Sequence, residues 1–113
     1  MQIVARESEG WVILDLSGDI DLAHSPAMRK ALLVEIKEKR IPKVYLNLKK
    51  VRYIDSSGIA SLVEGLKASR DQGSRLILYA LSPSVREVME LSRLQKIFEI
   101  YENEEQALAS QGR

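Results

Sequence analysis

The spacing of apolar residues predicts a β-hairpin at the start of the chain. Residues 2–6 are a short run with an apolar centre, and residues 11–17 place apolar residues on alternate positions, as is typical of strands. Ser8, Glu9 and Gly10 separate the two runs with residues that favour turns. The second strand carries Val12, Leu14 and Leu16 on one face, and Trp11, Ile13 and Asp15 on the other.

A helical period follows the hairpin. Met28, Leu32 and Ile36 recur at a spacing of four, which predicts the apolar face of a helix. Ser25 and Pro26 stand just before them. Ser25 is predicted to be the N-cap and Pro26 the first helical residue, because these residue types favour those positions. Pro42 is predicted to end the helix.

Alternation and helical period then recur. Residues 43–48 predict a strand, and Lys49 and Lys50 predict a polar break after it. Residues 75–81 are almost continuously apolar, as expected for a strand that is covered on both faces. Ser82 and Pro83 repeat the helix-start pattern of Ser25 and Pro26.

The end of the chain predicts two short elements. Residues 97–101 are predicted as a final strand, and residues 103–106 as a capping-box variant that opens a last helix. Residues 110–113 are predicted to be a frayed tail. Because strands and helices alternate after the hairpin, residues 1–113 are predicted to form one α/β domain. Its mixed sheet should have about five strands, with about four helices.

The most informative stretch is residues 51–70, where the chain changes character abruptly. An extended apolar run at 51–54, interpreted as a strand, ends at Asp55-Ser56-Ser57-Gly58. A helix-period run follows, formed by Ile59, Leu62, Val63 and Leu66. Asp55 and the serines are good capping residues, because their oxygens accept from the unpaired amides of a first turn.

Gly58 lacks a Cβ, so another backbone or another protein is expected to come close at this turn. One or two serine hydroxyls would then lie at the positive end of a helix, where a phosphate is also well placed. The pattern therefore predicts a site for an anion or a phosphoserine.

Composition excludes several classes of function. The formal net charge is +1, from 17 Lys and Arg against 16 Asp and Glu, so nothing indicates electrostatic binding of nucleic acid. There is no cysteine, which excludes disulfides and thiol chemistry. No signal peptide or apolar run long enough to span a membrane is recognisable in the sequence, so no membrane insertion and a cytoplasmic location are expected.

Catalysis and metal binding are not expected. A serine nucleophile needs a base, and His24, the single histidine, is distant in sequence from Ser56. No phosphate-binding loop or dinucleotide fingerprint is present, so no cofactor is expected. Asp19 and Asp21 lack a nearby third metal ligand, so from the residues alone their segment is interpreted as a solvated loop.

Four segments together resemble a known family. The string YIDSSGIASL resembles the signature of the STAS domain, in particular its anti-sigma factor antagonist branch. GDIDLAHS, KVYLNLKKVRYIDSSG and LILYALSPSVREVMELSRLQKIF are similar to flanking blocks of that family, in the same order. In this family the serine directly after the motif aspartate is the phosphoacceptor, and that position is Ser56. The alternative is that Asp55 and Ser56 only cap a helix, and the two interpretations are compatible.

The resemblance implies a binding module that is switched by phosphorylation. The unphosphorylated protein would bind an anti-sigma factor, itself a serine kinase, and so release a sigma factor for transcription. The kinase would inactivate the protein at Ser56, and a PP2C-type phosphatase would restore it. The implied partner-binding residues are Asp19, Asp21, Asp55, Ser56, Ser57 and Gly58. The alternative is a constitutive STAS scaffold subunit of a lipid ABC-transport or stress-signalling complex.

Overall fold

The computed structural model describes residues 1–110. Five strands form one mixed sheet in the order β1-β2-β3-β4-β5, in which β1 is antiparallel to β2 and the other neighbours are parallel. The predicted α/β class, with about five strands and four helices, is confirmed. The strands are β1 (Gln2–Ser8), β2 (Trp11–Ser17), β3 (Lys43–Lys50), β4 (Arg75–Tyr79) and β5 (Glu99–Tyr101), and the helices are α1 (Ser25–Leu33), α2 (Ser56–Gln72), α3 (Pro83–Leu91) and α4 (Glu104–Ala109).

Helices cover both faces of the sheet, because alternate residues of each strand point to opposite sides. On one face, α1, α2 and α3 pack against the strands in the main core. On the other face, α4 covers a smaller cluster. The main core includes Val12, Leu14, Leu16, Met28, Leu32, Ile36, Leu62 and Val85. The smaller cluster is formed by Ile13, Tyr45, Ile77, Tyr79 and Ala107.

The N-cap prediction for α1 is wrong. Ser25 is the first residue of the helix, and His24 holds the cap position without a side-chain hydrogen bond to the amides of the first turn. The preceding turn already satisfies two amides, since Ser25 N donates to Asp21 O at 2.8 Å and His24 N donates to Asp21 Oδ1 at 3.1 Å. The Ser25 hydroxyl is therefore free to point elsewhere.

The boundaries of two strands differ from the predictions. β3 continues through Lys50, so the predicted polar break is wrong. Residues 51–54 do not form a strand of the sheet, and they contribute one isolated bridge, between Ile54 and Ile20. β4 ends at Tyr79, because Ala80 adopts a left-handed backbone conformation with φ of 59°.

The last described residue, Ser110, is tied to the domain. Its hydroxyl donates to Ala107 O at 2.7 Å and accepts from Arg75 Nη2 at 2.9 Å. The remainder of the predicted tail, 111–113, lies outside the described residues. Across residues 1–110, none of the helices combines the length and the apolar character needed to cross a membrane.

Candidate functional site

Two segments meet at the N-terminus of α2. Ile20 N donates to Tyr53 O at 2.9 Å, and Asp55 N donates to Ile20 O at 3.2 Å. These bonds continue the parallel relationship of β2 and β3 beyond the sheet, with Ile20 opposite Ile54. The 18–24 loop therefore runs directly beside the residues that lead into α2, which brings Asp19 and Asp21 to the same edge as Asp55.

Asp55 is the N-cap of α2, as predicted. Its Oδ1 accepts from Ser57 N at 2.9 Å, from Gly58 N at 3.1 Å and from Ser57 Oγ at 2.5 Å. The Ser57 hydroxyl and then the Gly58 amide lower the pKa of the Asp55 carboxyl, since hydrogen bonds to the charged form favour it. The Leu22 amide, from the neighbouring loop, adds to this effect. Asp55 is therefore a fixed negative charge at neutral pH.

The two adjacent serines have different environments. Ser56 is the first residue of α2 and is exposed. Ser57 is partly buried, and its hydroxyl is already engaged, donating to Asp55 and accepting from Ser25 Oγ at 3.2 Å. Of the two hydroxyls, Ser56 is the one that a modifying enzyme can reach without breaking these contacts.

The sequence predicts that Gly58 allows the close approach of another backbone or of another protein, and the structure shows the first of these. Gly58 is buried, and a Cβ placed there would lie 2.6 Å from Ile54 Cγ1 and 2.7 Å from both Ile20 Cγ2 and Ile20 O. The close approach that requires glycine is thus internal. Gly58 lets the 18–24 loop pass over the first turn of α2, and a role for Gly58 in binding a partner stays a prediction.

Other groups near the site were missed by sequence reasoning. The sequence predicts Ser25 as a cap, whereas in the structure its hydroxyl bonds Ser57, 32 residues further along the chain. Leu22 and Tyr53 are 75% and 51% exposed, and they lie in the two segments that meet beside Asp55. The sequence does not distinguish Leu22 and Tyr53 from apolar residues of the core. Their exposure results from the pairing of the two segments in the folded structure.

Asp21 is used locally. Its Oδ1 lies 2.7 Å from His24 Nδ1 and also accepts from His24 N, which closes the turn before α1.

Within residues 1–110, no three His, Cys, Asp or Glu side chains come together as metal ligands. Arg29 and Glu64 form an ion pair that joins α1 to α2.

Comparison with known proteins places this architecture in a family. The model of the STAS domain matches residues 2–107, so the chain belongs to the STAS domain family. An anti-sigma F factor antagonist of Paenibacillus polymyxa is 30% identical over 108 residues, which span 96% of this chain and 92% of that protein.

Two solved structures share the fold. One is a Thermotoga maritima protein described as a candidate anti-sigma factor antagonist, with a TM-score of 0.88, 24% identity and coverage of 94% of this chain and 91% of that one. The other is the Bacillus cell-fate determinant SpoIIAA in its phosphorylated form, with a TM-score of 0.73, 21% identity and coverage of 95% and 96%. At these identities the likeness establishes the fold alone.

Proposed function

We propose that this chain is an anti-sigma factor antagonist, a binding module whose surface around Ser56 is switched by phosphorylation. The observation that carries the proposal is the contrast between the two serines of the site. Ser56 is exposed at the N-terminus of α2, whereas the hydroxyl of Ser57 is held by Asp55 and Ser25. Membership of the STAS family and the name of the Paenibacillus relative support the class of partner.

The proposed cycle has two enzymes acting on one binding module. The unphosphorylated chain binds an anti-sigma factor that is a serine kinase, and a sigma factor is released. The kinase transfers phosphate to Ser56, which ends the binding, and a PP2C-type phosphatase removes the phosphate. The phosphorylated structure of SpoIIAA shows that the fold accommodates a phosphorylated state in another member, which supports this cycle.

Charge explains why phosphorylation would act on the interface rather than on the fold. A phosphate adds about −1.5 to −2 charges at neutral pH. One unit charge about 6 Å from a like charge costs about 3 kcal/mol at an effective dielectric constant of 20, or about a hundredfold in affinity. The N-terminus of α2 instead favours the phosphate by about 0.3–1 kcal/mol.

The proposed surface is already acidic before modification. Asp55 is held in its charged form, and Asp19 and Asp21 lie in the loop paired with it. A phosphate on Ser56 would therefore concentrate negative charge at this edge of the domain. A partner surface that accepts a neutral hydroxyl at Ser56 would face an incompletely solvated phosphate, and any negative group of the partner near Ser56 would repel it.

The proposal is tested by assigning the phosphate. Each anti-sigma-type serine kinase of the source genome is purified and incubated with ATP and the wild-type, Ser56→Ala or Ser57→Ala protein, and peptide mass spectrometry locates the phosphate. We expect one kinase to modify wild type and Ser57→Ala at Ser56 and to leave Ser56→Ala unmodified. Modification at Ser57 alone would contradict the assignment of Ser56, and no modification with any kinase would contradict the proposal and favour a constitutive scaffold.

A further inference from the structure

A chain of hydroxyl groups connects α1 to the cap of α2. Ser25 is 4% exposed, and its Oγ donates to Ser57 Oγ at 3.2 Å. Ser57 Oγ in turn donates to Asp55 Oδ1 at 2.5 Å. The Ser25 hydroxyl therefore reaches the capping carboxylate through one intermediate group.

The direction of this chain follows from the chemistry of its members. An ionised carboxylate only accepts hydrogen bonds, so the single hydroxyl hydrogen of Ser57 is committed to Asp55. Ser57 Oγ then has lone pairs left to accept from Ser25. Hydroxyl groups in series polarise one another, so a donor at the far end strengthens the bond to the carboxylate.

The hydroxyl of Ser61 also joins the first turns of α1 and α2. Ser61 is 6% exposed, and its hydroxyl donates to Ser57 O at 3.1 Å, with Ser25 O at 3.5 Å. The first turn of α2 is thereby held against the first turn of α1. Since α1 directly follows the 18–24 loop, the contact between Ser25 and Ser57 joins the two segments that form the site.

We propose that Ser25 is a positioning residue for Ser56. Through Ser57 it fixes the Asp55 carboxylate and the first turn of α2, and it holds the 18–24 loop in register with them. Ser25 does not touch a kinase or an anti-sigma factor, because its side chain is buried. Its relevance to a partner rests on the function proposed above, while its effect on Asp55 is a property of the chain alone.

The test uses Ser25→Ala, with Ser25→Thr as the variant that keeps the hydroxyl. Ser69→Ala is the matched control, because Ser69 is likewise buried, in α2, and its hydroxyl donates within its own helix, to Leu66 O at 2.8 Å. The Asp55 carboxyl is titrated by NMR in each protein without any partner. In the same proteins, amide hydrogen exchange is measured at Ser57 and Gly58.

We expect the pKa of Asp55 to rise toward its ordinary value in Ser25→Ala, and exchange at the two capped amides to accelerate about fivefold, the factor expected for one neutral hydrogen bond. Ser25→Thr should restore both, and Ser69→Ala should leave both unchanged. In a Ser57→Ala background, Ser25→Ala should have no further effect on Asp55, because its influence passes through Ser57.

The kinase that modifies Ser56 gives the functional readout. With Ser25→Ala, the KM for the protein substrate should rise about fivefold while kcat stays near that of wild type, because the substrate surface is less ordered. An unchanged Asp55 titration in Ser25→Ala, or an equal effect with and without Ser57, would overturn the proposal. If Asp55 responds as expected but no kinase modifies Ser56, the positioning of Asp55 stands and the proposed function fails.

Discussion

Ile20 and Ile54 form a parallel bridge outside the sheet, and both side chains lie against the α-carbon of Gly58. This contact sets the distance between the 18–24 loop and α2. Residues 51–54 lie outside the sheet for two reasons. On one side Ile54 is paired with Ile20 of the 18–24 loop, and on the other side β4 has already ended at Tyr79. The arrangement leaves Ser56 exposed on the first turn of α2.

Gly58→Ala should destabilise the domain and move the loop. The added methyl would lie within 2.7 Å of Ile20 O, a backbone atom that cannot turn aside. We expect a loss of about 2–3 kcal/mol in the free energy of unfolding, measured with urea, as for other overpacked cores. Gly65→Ala is the control in the same helix, since the atom nearest to its Cβ would be the flexible end of Leu32, at 3.0 Å, and no backbone atom is as near as at Gly58. Equal stability of Gly58→Ala and wild type would contradict the internal role assigned to this glycine.

Arg6 joins the hairpin to α4. It contacts Asp15 at 2.6 Å and Glu104 at 2.6 Å, and Tyr79 also donates to Glu104 at 2.7 Å. All three charged groups are partly exposed, so solvent screening limits the contribution of the pairs. We expect Arg6→Ala to lower the free energy of unfolding by about 1 kcal/mol at pH 7.

That loss should depend on pH. The hydrogen bond from Arg6, followed by that from Tyr79, lowers the pKa of Glu104 below its ordinary value of 4.5. The stabilisation is therefore fully present above that value and is lost as the pH falls through the lower folded-state pKa. The difference between wild type and Arg6→Ala should be constant from pH 6 to 8 and shrink below about pH 4. Arg29→Ala is the control, because it removes a half-exposed ion pair with Glu64. It should lower the free energy of unfolding by less than Arg6→Ala does. If the difference in the free energy of unfolding between wild type and Arg6→Ala grew as the pH fell, the pH dependence could not be assigned to Glu104.

Glu35 offers a stabilising substitution. It lies in a π-helical turn (Val34–Glu38) after α1 and is 4% exposed. Its Oε1 accepts from Lys39 at 3.2 Å, but its buried Oε2 has no hydrogen-bond partner among residues 1–110. Because an unsatisfied buried polar atom costs about 1–3 kcal/mol, Glu35→Leu should raise the free energy of unfolding by about 1 kcal/mol. Lys39 keeps its contact with Glu7 at 2.7 Å, and Lys39→Ala in the Glu35→Leu background measures that contact separately. A large loss of stability in Glu35→Leu would mean that this carboxylate is needed.

Much of the fold could be predicted because its patterns are local. The stripe of Met28, Leu32 and Ile36 is fully buried, and the two faces of β2 pack into separate clusters, as their alternation indicated. The Asp55 cap and the end of α2 at Gly73, with φ of 69°, also follow from short-range chemistry.

The remaining features depend on distant contacts. Residues 51–54 are apolar like a strand, but the tertiary pairing with Ile20 decides where they lie. The same pairing buries Gly58, and the turn made by Asp21 frees Ser25 to bond Ser57. None of these relationships has a spacing rule in the sequence, because each joins segments about thirty or more residues apart.

Phosphorylation of Ser56 should leave the fold intact. Added negative charge at the N-terminus of α2 is favourable, so neither α2 nor β4 should loosen. Amide hydrogen exchange of the phosphorylated and unphosphorylated proteins should therefore agree across residues 62–66 and 76–79. Widespread loss of protection in these two segments would mean that phosphorylation acts through a conformational change.

If a charge on Ser56 controls binding, a titration of the partner with two forms of the protein should show it. The anti-sigma factor proposed to phosphorylate this chain is titrated, in the absence of ATP, with unmodified protein and with protein fully phosphorylated at Ser56. Ser56→Ala serves as the control and should bind like the unmodified protein. We expect phosphorylation of Ser56 to weaken binding by about a hundredfold. Equal affinity of the phosphorylated and unmodified proteins would contradict it.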